Sequence, residues 1–149
     1  MPGNTLTTPL GPVSLTEADG QITGLHWRPG EADPTDLTRE ALRQLQACFD
    51  RRLTRFDLPL HFGTGLNEQV CRAMFGIPLG ETGTCGDLAR SLNASAHAIG
   101  QACGANPIPI IIPCHRIPGA HSPGGIPAKG GVETKVWLLK HEGAASLLI

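Results

Sequence analysis

The chain has 149 residues, about 40% of them hydrophobic, a formal charge of −1 and five cysteines. That is enough apolar material for a core in one domain or two small ones, and a charge so near zero gives no global drive toward nucleic acid. No apolar run approaches the roughly 20 residues of a membrane span, the start "MPGNTLTTPLGPVSL" lacks the basic and apolar regions of a signal peptide, and Cys48, Cys71, Cys85, Cys103 and Cys114 show neither CxxC pairs nor zinc-type Cys/His spacing. The expectation is a cytoplasmic protein with reduced thiols, no metal and no membrane partner.

In chain order, "TLTTPLGPVSLTEADGQITGLHW" alternates apolar and polar residues between Gly-Pro and Asp-Gly, which predicts two or three short strands with a hairpin at Asp19-Gly20. "DPTDLTREALRQLQACFDRRL" places Leu37, Ala41, Leu45, Cys48 and Phe49 at helical spacing. "TRFDLPLHFGTG" reads as extended chain and loop, and a domain boundary near Thr64 divides the sequence into 1–63 and 64–149. The second part carries Arg72, Arg90, Arg116, Lys129, Lys135 and Lys140 against Glu68, Glu81, Asp87, Glu133 and Glu142, a net +1, which is compatible with DNA contact without indicating it.

Within that part, "LNEQVCRAMFGIPLGETG" predicts a helix ended by Gly76 and Pro78, "TCGDLARSL" a short helix capped by Thr84, and "ASAHAIGQACGAN" another, ended at Asn106 because Pro107 disfavours helix in its predecessor. Two short helices meeting near "LNAS" suggest a helix-turn-helix. The second carries Ala94, Ala96, Ala98, Gly100, Ala102, Gly104 and Ala105. So little bulk fits a helix packed closely on a neighbour or one that lies close to a DNA groove. The tail "GGVETKVWLLKHEGAASLLI" predicts a last helix with Val132, Val136, Leu139 and Trp137 inward.

The stretch "NPIPIIIPCHRIPGA" is the most unusual. Pro107, Pro109 and Pro113 fix φ and remove donors, and the isoleucines between them seek burial, which predicts a rigid, extended, buried segment holding Cys114 with little freedom. A thiol in an apolar wall is inert, whereas His115 and Arg116 bring polar chemistry beside it. In extended chain neighbouring side chains point apart, so a water or another residue would have to join His115 to the sulfur.

"PIPIIIPCHRI" followed by "GGVETKVWLLKHEG" resembles the O6-alkylguanine-DNA alkyltransferase family, whose hallmark is Pro-Cys-His-Arg. "TRFDLPL", "LNEQVCRAMFGIPLGETGTCGDLA" and "HAIGQACGANPIPI" resemble its helix-turn-helix region, and "TPLGPVSLTEADGQITGLHW" its first domain, so the resemblance covers nearly the whole chain. It implies an α+β protein: a small ribonuclease-H-like strand and helix domain, then a helical domain with the helix-turn-helix and the active-site segment. It also implies a cofactor-free, single-turnover activity. An alkylated guanine is flipped out of duplex DNA and its alkyl group passes permanently to a cysteine. By match to the motif, Cys114 is the nucleophile, His115 accepts the thiol proton through a water, Glu142 orients that histidine, and Asn106 ties the recognition helix to the active-site segment. Val132 and the backbone near Cys114 line the base pocket.

The departures from the family pattern fall on DNA contact. Cys85 stands where the family carries a tyrosine, and this chain has none. His97 aligns with the arginine that fills the gap left by the flipped base, and Ala128 and Lys129 align with the pair that packs on that base. The turn between the motif helices is also shorter than usual. His97 could still wedge into a stack, Lys129 could donate to the guanine oxygen or a phosphate, and Arg116 could contact the DNA backbone, as alternatives to solvated surface side chains. The resulting expectation is a monomer acting on O6-alkylguanine in double-stranded DNA, with weak duplex binding. Kept beside it are the same thiol chemistry on a free base, nucleotide or small alkylating metabolite, and a lesion-binding module without chemistry. The presence of Cys114 disfavours the last. Nothing resembles an oxyanion-hole loop, which disfavours a Cys-His hydrolase.

Overall fold

The computed structural model describes residues 2–30, 32–53, 55–78, 81–117, 137, 138 and 141. It has an α+β architecture and divides into two compact units, 1–61 and 62–149.

In the first unit, β1 (Gly3–Thr8), β2 (Gly11–Ala18) and β3 (Gln21–His26) form an antiparallel sheet in the order β1-β2-β3. The β2–β3 hairpin turns at Asp19 and Gly20, with φ of 52° and 75°. This is the doubly left-handed turn that suits the twist of a hairpin, and Asp and Gly adopt it at low cost. A register shift opposite Thr16 and Glu17 marks a bulge in β3, where Thr23 is the extra residue. One face of the sheet buries Val13, Leu15, Ile22 and Leu25 under α1 (Asp36–Phe49). On the other face Ser14 pairs with His26 and Thr16 with Gly24. Leu60 extends β3 through a short parallel bridge to Ile22.

Helix α1 begins with a capping box. Thr35 Oγ1 accepts from Thr38 N at 3.1 Å, and Thr38 Oγ1 accepts from Thr35 N at 2.8 Å. Its inner face differs from the sequence expectation. Ala41, Leu45 and Phe49 are buried, but Leu37 and Cys48 are only half-buried, and Thr38 and Gln44 take inward positions. Both polar residues earn burial by bonding backbone. Gln44 Oε1 accepts from Asp57 N at 2.8 Å, and its Nε2 donates to Asp57 O at 3.0 Å, so the side chain pairs with the returning strand segment as a strand would.

The second unit starts with α2 (Gly65–Phe75), followed by α3 (Cys85–Leu92) and α4 (Ala96–Gly104). Helix α2 ends at Gly76, which keeps right-handed helical dihedrals (φ −80°). Its stop is therefore the approach of Pro78 rather than a left-handed glycine. Val70, Cys71 and Met74 of α2 pack with Ile99, Ala102 and Cys103 of α4, and Cys103 Sγ lies 3.5 Å from Met74 Sδ. Helix α3 has no fully buried residue and rides on α2 and α4. Asn93, left-handed at φ 54°, ends it, and Ser95 caps α4 by accepting from Ala98 N at 3.1 Å. In the tail, Trp137, Leu138 and His141 are helical. Leu138 is the buried residue, while Trp137, read as inward-facing, is half-buried and stacks on His141 with ring centres 4.7 Å apart. Val132, Val136 and Leu139 lie outside the described residues. Among the described residues no helix is long and apolar enough to cross a membrane.

Candidate active site

The site is built from the end of α4. Pro107 stops the helix, and Asn106, 4% exposed, turns its amide into the segment that follows. Its Oδ1 accepts from Ile108 N at 3.0 Å and its Nδ2 donates to Ile112 O at 2.8 Å. Ile112 N in turn donates to Ile108 O at 2.9 Å. These three bonds close a tight loop over Ile108–Ile112. All of its residues are buried, as the sequence predicts, but it is not extended. Ile110 sits at φ +73°, a region that β-branched residues rarely enter. The loop's own bonds and the burial of Ile110, 4% exposed, hold it there.

The chain then enters a single 3-10 turn, Cys114–Arg116. Cys114 N donates to Ile112 O at 2.8 Å, Arg116 N to Pro113 O at 2.9 Å and Ile117 N to Cys114 O at 3.2 Å. Cys114 and His115 are both 0% exposed. Successive side chains on such a turn diverge by about 120° rather than pointing to opposite faces, so the geometric obstacle inferred for an extended strand does not apply.

Arg116 departs from its expected role. It is 9% exposed, its Nη1 donates to Ile77 O at 2.7 Å, and its carbonyl accepts from Gly83 N at 2.8 Å. The guanidinium faces inward and braces the segment between α2 and α3 instead of facing a phosphate. The reason is local: the 3-10 turn points its last side chain toward the Ile77 carbonyl, two residues past the end of α2.

On the surface, His97 is exposed in the first turn of α4 and Cys85 is half-buried in the first turn of α3, behind the Thr84 cap. Ala96, His97, Gln101, Gly104 and Ala105 are exposed, so the outward surface mixes small residues with His97 and Gln101, while Ile99, Ala102 and Cys103 pack inward. The described arginines here are all engaged. Arg72 pairs with Glu68 at 3.0 Å and lies over the Phe62 ring at 4.4 Å, Arg90 pairs with Asp87, and Arg116 is braced as above. Burial pushes the Cys71 thiol up to about 11, which leaves it protonated and unreactive at neutral pH. Glu142, Ala128, Lys129 and Val132 lie outside the described residues. Among the described residues no cluster of His, Cys, Asp and Glu could hold a metal ion. Sequence reasoning missed the Ile112 carbonyl and the Arg116 brace. A backbone acceptor leaves no mark in residue identity, and no residue type announces which carbonyl an arginine will reach.

The buried Cys114-His115 pair on its locked turn and the two short helices α3 and α4 belong to one unit, and that unit matches a known family. Residues 65–144 match the family model described as 6-O-methylguanine DNA methyltransferase, DNA binding domain. A methylated-DNA--protein-cysteine methyltransferase from Mycobacterium tuberculosis is 38% identical over 131 residues, covering 78% of this chain and 77% of the relative. One from Methanosarcina acetivorans is 34% identical, covering 92% and 95%. The crystal structure of Mycobacterium tuberculosis OGT in complex with DNA superposes with a TM-score of 0.81 at 33% identity, covering 99% of this chain and 98% of that one. The chain belongs to the O6-methylguanine-DNA methyltransferase family.

Proposed function

We propose that the protein repairs alkylated DNA by taking the alkyl group of O6-alkylguanine onto Cys114. The observation that carries the assignment is the position of that thiol, fully buried on a 3-10 turn whose preceding loop is locked by Asn106. In the proposed reaction the Cys114 proton passes through a water to His115, which Glu142 orients. The thiolate attacks the alkyl carbon, the carbon–oxygen bond breaks with its electron pair going to O6, and guanine takes up a proton. A thioether remains, so each molecule acts once, and no cofactor is required. In-line displacement depends on positioning, which is what a locked turn provides.

In this reading α3, Asn93 and α4 form a helix-turn-helix whose second helix approaches the duplex with its outward surface, His97 reaches toward the stack, Cys85 faces the backbone, and Ala128, Lys129 and Val132 border the base. The first unit is a reduced ribonuclease-H-like domain. The protein acts as a monomer in the reducing cytoplasm, which suits its five thiols. One feature favours a second reading with the same chemistry on a free base, nucleotide or small alkylating metabolite: the chain has no tyrosine and carries His97 where the family's arginine would stand.

The test is intact mass after incubation with a duplex bearing O6-methylguanine, with free O6-benzylguanine as competitor. A single methyl mass on the Cys114 peptide, absent in Cys114→Ala, is the expected result. Alkyl mass on Cys85 or Cys103 of the native protein would overturn the assignment, and uptake from the free base but not from duplex would favour the second reading.

A further inference from the structure

The outward face of the first unit's sheet carries a cavity that the alkyl-transfer chemistry does not use. It measures about 400 Å³, lies over β2 and β3, and is bordered by Ser14, Thr16, His26, Arg28 and Gly30. That volume is within the range of small-molecule sites. Two glycines set how its walls pack. A Cβ on Gly24 would stand 2.9 Å from both His26 Nε2 and Thr16 Oγ1, and one on Gly30 would stand 2.7 Å from Ser14 Cβ. Gly24 therefore lets the imidazole and the Thr16 hydroxyl fold over the same point of the strand, and Gly30 lets the loop after Arg28 close down on Ser14.

The polar groups around this cavity have unused capacity. Ser14 is 2% exposed, yet among the described residues its hydroxyl, the His26 ring and the Arg28 guanidinium have no hydrogen-bond or ion-pair partner. No carboxylate of the described residues lines the cavity. A hydroxyl, an imidazole and a guanidinium meeting in a shallow pocket match the oxygens of a tetrahedral anion, and the volume exceeds that of the bare ion.

We propose that this cavity is a phosphate site, held by Ser14, His26 and Arg28, with room for the organic part of a phosphoester. The surroundings of His26 agree with it: burial, and then the charge of Arg28, lower its pKa. An anion seated between the two would oppose the second effect and make the imidazole easier to protonate.

The experiment follows the His26 ring signals by NMR while inorganic phosphate is added to the full chain, with sodium chloride holding ionic strength constant. Parallel titrations use a nucleoside monophosphate and a short unmodified duplex. Phosphate should give a saturable shift with a rise in the His26 pKa. Arg28→Ala, a change at an exposed position, should weaken binding about tenfold, the loss of one charge-assisted contact. Ser14→Ala should weaken it less. A stronger response to the monophosphate than to the duplex identifies a small phosphoester, and the reverse identifies a strand phosphate. A shift that does not saturate, that chloride reproduces, or that Arg28→Ala leaves unchanged overturns the proposal.

Discussion

Asn106 and Cys114 are joined through a single atom. The Ile112 carbonyl accepts from Asn106 Nδ2 at 2.8 Å and from the backbone N–H of Cys114 at 2.8 Å. The end of α4 and the thiol are thus fixed to the same oxygen, one from each side, and a change at Asn106 reaches the thiol without touching it.

Asn106→Ala removes this bond and the one from Ile108 N, and leaves a buried N–H without a partner. Urea denaturation should show a loss of about 2–4 kcal/mol, and alkyl transfer to Cys114 should slow by about 10²-fold from misplacement. Asn106→Asp keeps an acceptor for Ile108 N but presents no donor to Ile112 O, so it should rescue only part of either loss. A native transfer rate in a destabilised Asn106→Ala would separate the loop's stability from its role in positioning.

His115 and Glu142 are proposed to act as one unit. His115→Gln or Glu142→Gln should each slow transfer by about 10²–10⁴-fold, the range of positioned proton transfer. The double variant should be little slower than the worse single one. Single-turnover kinetics on methylated duplex decides it, and a native rate in Glu142→Gln would remove that residue from the reaction.

Flipping a base costs a few kcal/mol, and His97 and Cys85 offer less to offset it than an arginine and a tyrosine. His97→Arg with Cys85→Tyr should therefore raise the rate on methylated duplex and leave the rate on free O6-benzylguanine nearly unchanged. Equal rates on duplex in native and doubly substituted protein would show that the present residues already serve.

Cys71 links alkaline pH to stability. Its folded pKa is about 11 against a reference of 9.0, because burial disfavours the thiolate. The unfolded chain releases its proton first, so this contribution to stability is fully present below pH 9 and is lost as pH rises toward 11. Thermal melts across that window should fall, and Cys71→Ala or Cys71→Ser should flatten the fall. At neutral pH, iodoacetamide should label the half-buried Cys48 and Cys85 in the native protein well before Cys71.

What the sequence made legible followed from local rules. The Asp19-Gly20 hairpin and the Thr84 cap are each set by a few adjacent residues and stand where those residues predict, and α4 ends at Gly104, just short of the stop expected at Asn106. The misreadings share another cause. Gln44 turns inward on α1 because it bonds the distant Asp57 backbone, and Thr38 because it closes the capping box with Thr35, neither of which hydrophobic spacing registers. Proline and isoleucine content implied an extended segment, whereas three hydrogen bonds bend it and hold Ile110 against its own preference. At the site, Cys114, His115 and Asn106 were evident from their motif, while Arg116 looked like a surface cation because nothing in "PCHRI" says where the guanidinium points.

Arg116 fastens the segment between α2 and α3 at two places, by its guanidinium at Ile77 and by its carbonyl at Gly83. Gly83 is the residue before Thr84, which caps α3 and leads directly to Cys85. The thiol-bearing turn and the start of α3 therefore share one mechanical reference point, although a long stretch of chain separates them in sequence. A displacement of the start of α3 would be carried to Arg116, two residues from Cys114, through the Gly83 N–Arg116 O hydrogen bond, not through the intervening helices. The spacing between the Cys114 turn and the start of α3 is thus a local dimension, and errors accumulated along the rest of the fold do not enter it.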